Sequence, residues 1–305
     1  MRLRRLFAHV FLGLCVDGAV KADSKSDLSQ YLAQHDYRSV TVDTGNNREI
    51  VEAKVNGKRV SLVVDTGCGR TTLRAACARH LGLDVHDSGE QTWGVGGMIK
   101  EDMGIALINS FQLSNFDINR TNTIQVFPKS NSWDDADGLL GFDFLHLNAV
   151  LLPVGASFFL FKPGTRPVPN IDHFMDLAGF KSMPLHYFDG GFRILGHVNG
   201  RPFEAIVDCG ATYSVFDGGY LRKMGESYFR PLKGNWSGVD GRNTPSFGFT
   251  PKQLSLGTLD IKPVEVTMIE QPYFTKEGAN ALLGFDILGK HDAIVDLGHD
   301  VLWMK

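Results

Sequence analysis

The sequence repeats itself at one long, constant interval. Val55-Asn56-Gly57 returns as Val198-Asn199-Gly200, and Asp65-Thr66-Gly67 returns as Asp208-Cys209-Gly210, each 143 positions later. Trp93 returns as Trp236, and Leu139-Leu140-Gly141-Phe142-Asp143 returns as Leu282-Leu283-Gly284-Phe285-Asp286, at the same 143. Only the stretch after Trp93 slips: Gly94-Val95 fits Gly238-Val239 at 144, as a single residue inserted at a loop tip would produce. Solenoid repeats have periods of roughly 20–50 residues. A period this long is a duplicated domain, so the fold must be one that two similar lobes can build together.

The rest of the chain divides around this duplication. Residues 1–22 read as a secretory signal: Arg2, Arg4 and Arg5, then an apolar run from Leu6 to Val16, then Ala22 as a small-residue cleavage site. That run is shorter than the ~20 residues a membrane span needs. Cys15 follows the bulky Leu14, which argues against a lipid anchor there. An N-terminal segment at 23–36, a first lobe at 37–162, a linker at 163–182 and a second lobe at 183–305 complete the expected order. Lys162-Pro163-Gly164-Thr165-Arg166-Pro167-Val168-Pro169-Asn170 is Pro-rich and stiff, and Ile171 to Phe180 reads as a short helix.

Inside each copy the apolar runs are short. Val60 to Val64 and Phe203 to Val207 are strand-like runs that end at an Asp, and turn residues recur at Gly45-Asn46-Asn47 and Asp189-Gly190-Gly191. Short helices are expected over Thr71–Leu81, Phe142–Leu147 and Phe285–Lys290. With 34 glycines in 305 residues, tight turns are plentiful, and the chain reads as mostly β with two lobes. Its formal net charge of −3 gives no basic excess to attract nucleic acid. No His-Glu-x-x-His, Cys-x-x-Cys, P-loop or Gly-x-Ser-x-Gly pattern occurs, so no metal, cofactor or serine nucleophile is expected.

One aspartate per copy carries the chemistry. Asp65 and Asp208 each end an apolar strand and precede a turn. Duplicated lobes tend to pack about a pseudo-twofold axis, where equivalent residues meet. Two carboxylates brought together there share one proton, and their pKa values split. The ionised member can take a proton from water while the protonated member polarises a carbonyl. Asp43-Thr44-Gly45 is a useful contrast: no apolar strand leads into it and its copy partner is His186, so Asp43 is read as a turn residue.

These features together resemble the retropepsin-like and pepsin-like aspartic peptidases, in a bacterial-type form with both halves on one chain. The shared features are an apolar pair before Asp-Thr-Gly, a Gly-rich aromatic segment, and Leu-Leu-Gly followed by a short helix. The resemblance spans roughly residues 37–305. It implies an acid-protease fold: two homologous β-barrel-like lobes related by a pseudo-twofold axis. It implies an endopeptidase with Asp65 and Asp208 as catalytic residues, supported by Thr66, Gly67, Cys209 and Gly210. It places substrate-covering flaps at Trp93, Gly94, Val95, Gly96 and Gly97, and at Trp236, Gly238, Val239 and Asp240. The expected partner is a peptide or protein substrate, with the mature chain a monomer in the periplasm or secreted.

The departure from the family pattern is Cys209. The Thr or Ser after each catalytic Asp is expected to bond across the axis. Thr66 suits that role, whereas a thiol is a weak donor. The alternative expectation is therefore a catalytically weakened or inactive peptide-binding protein of the same fold. Three cysteines, Cys68, Cys77 and Cys209, follow the leader, so at most one disulfide can close among them.

Overall fold

The computed structural model describes residues 25–94, 97–99, 101–118, 122–127, 136–163, 168–188, 190–238, 243–262 and 264–305. The expected leader with Cys15 lies outside these residues, as do Val95, Gly96, Val239 and Asp240 of the expected flaps. Among the described residues, no helix is long and apolar enough to cross a membrane.

Three sheets make the frame. One belongs mainly to the first copy and has nine strands; one belongs to the second copy and has ten. A six-stranded sheet joins them, ordered Arg38–Thr41, Phe158–Phe161, Leu151–Pro153, Ile294–Asp296, Val301–Met304 and Lys181–Pro184. Its first three strands come from one copy and its last three from the other. At its centre Leu152 pairs with Val295, and these are equivalent residues 143 positions apart. A residue paired antiparallel with its own repeat partner marks the pseudo-twofold axis.

Each lobe is built on the same core strands. Lys58–Val64 pairs antiparallel with Ile50–Val55 and parallel with Gly138–Leu140. Arg201–Val207 likewise pairs antiparallel with Gly191–Val198 and parallel with Ala281–Leu283. Leu62, Val63 and Val64, and likewise Ala205, Ile206 and Val207, are all buried, so these near-continuous apolar runs are strands covered on both faces. The hairpin turns at Asn56-Gly57 and Asn199-Gly200 hold all four residues at positive φ, the type I′ geometry that Asn-Gly favours.

Helices are few and short. Phe142–Leu147 forms as expected; Phe285–Leu288 continues into a 3-10 turn at Gly289–His291. The helix expected over Thr71–Leu81 begins only at Ala75, because Thr72–Arg74 is a strand held between Gly138–Leu140 and Thr123–Phe127. Consecutive β-branched Thr71 and Thr72 favour that outcome. The linker contributes the helix Asp172–Leu177.

Residues 25–36 are part of the packed structure. The helix Lys25–Gln34 buries Leu28 and Leu32 against Ile171, Met175, Phe180 and Trp303. It therefore straps the linker and the joining sheet on the side away from the lobe cores.

Glu49 is a buried acid beside the joining sheet. Glu49 is completely buried; its Oε1 accepts the Gly155 N–H at 2.7 Å, and its Oε2 has no partner. Burial pushes its pKa from 4.5 up to about 8, against a smaller opposing pull from the Gly155 N–H. The folded protein thus holds a proton on Glu49 that the unfolded chain releases above about 4.5. Stability falls as pH rises from there, and levels off above about 8. Thermal melting of Glu49→Gln across pH 4.5–8.5 should remove this decline, with a difference on the order of a few kcal/mol at the alkaline end. Parallel pH profiles for the two proteins would contradict it.

Candidate active site

Asp65 and Asp208 end their strands at the floor of a cleft of about 360 Å³ between the lobes. Each is anchored by the same backbone bond: Asp65 N–H to Leu140 O and Asp208 N–H to Leu283 O, both 3.0 Å. Each then folds back on its own turn. Asp65 Oδ1 accepts from Gly67 N at 2.9 Å and Cys68 N at 3.0 Å, while Asp208 Oδ1 accepts from Ala211 N at 3.0 Å. The two carboxyls hydrogen-bond to each other.

The close meeting depends on two glycines. A Cβ on Gly67 would stand 2.5 Å from the Asp208 carboxyl carbon, and one on Gly210 would stand 2.5 Å from that of Asp65. Any side chain at either position would push the opposite carboxyl away.

Burial raises both aspartates above the usual carboxylate range. For Asp208, the Asp65 charge and its hydrogen bond add to burial, and both push it well up. For Asp65, the bond from Asp208, the Gly67 and Cys68 N–H groups and the Arg48 charge all oppose burial.

Beneath the carboxyls, the two turns are tied across the axis. Thr66 Oγ1 donates to Val207 O at 2.8 Å and accepts the Cys209 N–H at 3.0 Å. Cys209 Sγ donates to Val64 O at 3.3 Å, the symmetric position. A thiol is longer and weaker than a hydroxyl, but it occupies the same place and makes the same bond. Burial, with the nearby Glu49 and Asp65 charges, raises the Cys209 pKa and keeps the thiol protonated as a donor. Cys68, Cys77 and Cys209 are all free, so none of the disulfides left open above forms.

A second duplicated device holds the strands behind the dyad. Asp143 Oδ1 accepts from the Thr71 N–H and hydroxyl, both at 2.8 Å, and from Phe144 N at 2.7 Å. The Thr71 hydroxyl accepts the Gly141 N–H at 3.1 Å. Asp286, Ser214, Ile287 and Gly284 repeat the pattern with bonds of 2.6–2.9 Å. These residues were visible in the repeat, but nothing in the sequence showed what Asp143 and Asp286 hold.

Of the expected flap residues, Gly94, Trp236 and Gly238 line the cleft. Trp93 pairs with Met98 and Gly94 with Gly97, a hairpin as expected. Its counterpart pairs Trp236 with Thr244 and Ser237 with Asn243. Trp236 also packs beside Val215, Ile269, Phe274 and Leu282, so it is partly a core residue. Sequence reasoning missed Arg48 and Tyr273 in the cleft wall; each lacks a like residue at 143, since Gly191 and Ser130 stand there. Asp43 accepts the Gly45 N–H at 3.2 Å, as a turn residue does.

Replacing Thr66 by Val removes the hydroxyl at nearly constant volume and strands the Cys209 N–H and Val207 O in a dry place. It should cost about 2–5 kcal/mol, read from denaturant unfolding. Cys209→Thr should leave stability equal or slightly raised. Equal losses in both variants would mean that the two halves of this link are not equivalent.

Comparison with known proteins agrees with this geometry. A family described as "Aspartyl protease" matches residues 51–144, and one described as "gag-polyprotein putative aspartyl protease" matches residues 194–290. No curated protein sequence matches the chain significantly. Among solved structures, the aspartic proteinase from Irpex lacteus superposes with a TM-score of 0.51 at 14% identity, covering 88% of this chain and 96% of that one. Each lobe therefore matches an aspartyl protease family separately, and the two-lobed fold matches a whole proteinase. The chain belongs to the retropepsin/pepsin-like family of aspartyl proteases, with both halves on one polypeptide.

Proposed function

We propose that this protein is an aspartic endopeptidase that hydrolyses peptide bonds with one water activated between Asp65 and Asp208. The observation that carries the reading is the dyad itself: two carboxyls brought together at the floor of an open cleft, each fixed by backbone N–H groups.

The chemistry follows from the asymmetry of that pair. Asp208 keeps the proton and donates it toward the scissile carbonyl oxygen. Asp65, ionised, takes a proton from the water as its oxygen attacks the carbonyl carbon. The tetrahedral intermediate carries two hydroxyls, and Asp65 returns its proton to the leaving nitrogen as the C–N bond breaks. Asp208 recovers the proton from the remaining hydroxyl, which restores the starting pair. No covalent enzyme intermediate is needed. An extended peptide would lie across both carboxyls and pair with strand edges of the two hairpins. Export to the periplasm or beyond, and action as a monomer, are parts of the same proposal, the latter because one chain supplies both aspartates.

The competing reading, a binding protein that has lost hydrolysis, rested on Cys209. Its thiol donates to Val64 O in the place where the family's hydroxyl would, which favours a working site.

Incubation with a mixed peptide library across acid to neutral pH tests this. Wild type should cleave, and Asp65→Asn or Asp208→Asn should each lose at least about a thousandfold in kcat/KM. The profile should be bell-shaped, its acid limb set by Asp65 above 3.8 and its alkaline limb by Asp208. Cys209→Thr should change kcat/KM by less than about tenfold. Cleavage that survives either Asn variant would refute the two-aspartate reading, and a large gain from Cys209→Thr would favour the impaired-site alternative.

A further inference from the structure

The main cleft does not end at Trp236. A second cavity of about 350 Å³ lies behind it in the C-terminal lobe and shares Tyr213, Asn235 and Trp236 with the cleft as common walls. Its far side includes Lys233, Glu265 and Thr267. A chain lying over the dyad and passing Trp236 would enter this cavity next.

The backbone shapes the entrance. Arg230–Ser237 is the edge strand of its sheet, and its pairing with Asn243–Phe249 shifts register between Pro231 and Asn235. A bulge of this kind re-aims side chains and interrupts the ladder. Lys233 sits inside it.

The charges of the cavity do not cancel. Glu265 is held by Arg230 through two bonds, at 2.5 and 3.2 Å. Lys233 is exposed and, among the described residues, has no ion-pair partner. The cavity therefore presents one uncompensated ammonium, that of Lys233. The other lobe does not repeat it: at 143 positions back, Lys233 is replaced by Glu90 and Tyr213 by Arg70. Glu90 is occupied there by the Gln125 amide at 2.9 Å.

We infer that this cavity is a side-chain subsite that takes an acidic residue of an extended peptide, with Lys233 as its charge partner. The inference rests on the peptide-cleaving reading of the cleft. Its consequence is directional. The dyad and its turns are nearly twofold symmetric and could accept a peptide in either sense. A carboxylate on one flank, matched by Lys233 in one lobe and by no lysine at the equivalent place in the other, favours one direction.

Binding tests this independently of turnover. Labelled octapeptides with an apolar centre and a Glu, Ala or Lys moved through the flanking positions are titrated by fluorescence anisotropy against Asp208→Asn protein. Glu at one flank position should bind about two- to fivefold tighter than Ala, the size expected of a rim charge pair, and the gain should shrink with added salt. In the Asp208→Asn background, Lys233→Ala should erase the preference, and Lys233→Glu should turn it toward Lys. Lys252→Glu, a surface reversal away from the cleft, should leave the profile as it is. Binding with a flat profile, or a Glu preference that survives Lys233→Glu, overturns the subsite alone. Failure of every peptide to bind overturns the peptide-groove reading with it.

Discussion

Two side chains crossing the pseudo-twofold axis, Thr66 onto Val207 O and Cys209 onto Val64 O, hold the turns that carry the aspartates. A carboxyl pair that shares a proton repels itself whenever both members ionise, and its partners must stay within hydrogen-bond reach against that repulsion. The burial that raises both pKa values also makes each cross-axis bond costly to break, since the freed backbone groups find no water. The glycines at 67 and 210 follow from the same constraint, because each leaves room for the carboxyl of the opposite lobe. The joining sheet, with Leu152 against Val295, fixes the axis about which all of this is symmetric.

The sequence made the symmetric part legible and left the asymmetric part hidden. A constant 143-residue interval located the axis residues, the Asp turns, the Leu-Leu-Gly strands and the flap hairpins, because whatever the two lobes share is written twice. Asp143 and Asp286 were equally visible as repeats, yet their task of satisfying Thr71 and Ser214 is a long-range hydrogen bond that no local pattern encodes. Arg48, Tyr273 and Glu49 have no like partner in the other copy, so the repeat could not flag them. The start of the helix near residue 75 was misplaced because sheet pairing on both sides of Thr72–Arg74 overrides the local pattern.

Cys209 shows how a departure at the sequence level can be neutral in space. Read alone, a thiol in place of a hydroxyl suggests a failing site. In the fold, the Sγ points at the carbonyl its counterpart would use, and the Thr66 hydroxyl takes the Cys209 N–H so that no backbone group there is stranded. What the thiol changes is the strength of one bond in a set that also includes two glycine turns, a carboxyl pair and two part-buried Asp–hydroxyl anchors. Such a set tolerates one weak member, because its geometry is over-determined by the others.

Gene duplication gives a second freedom that a symmetric dimer of identical chains lacks. In such a dimer, any change beside one aspartate appears beside the other, and both ends of the groove remain alike. Here each lobe can change alone. Glu49 faces no acid in its counterpart, since Phe192 fills the equivalent place in the core, so this particular buried acid belongs to one lobe alone. Arg48 stands opposite Gly191, and Lys233 opposite Glu90. The floor that carries the two aspartates stays symmetric because the meeting of their carboxyls demands it, whereas the walls are free to diverge. Arg48 and Lys233 are differences of this kind in the walls of the cleft and of the cavity beside it, and Glu49 is one in the core.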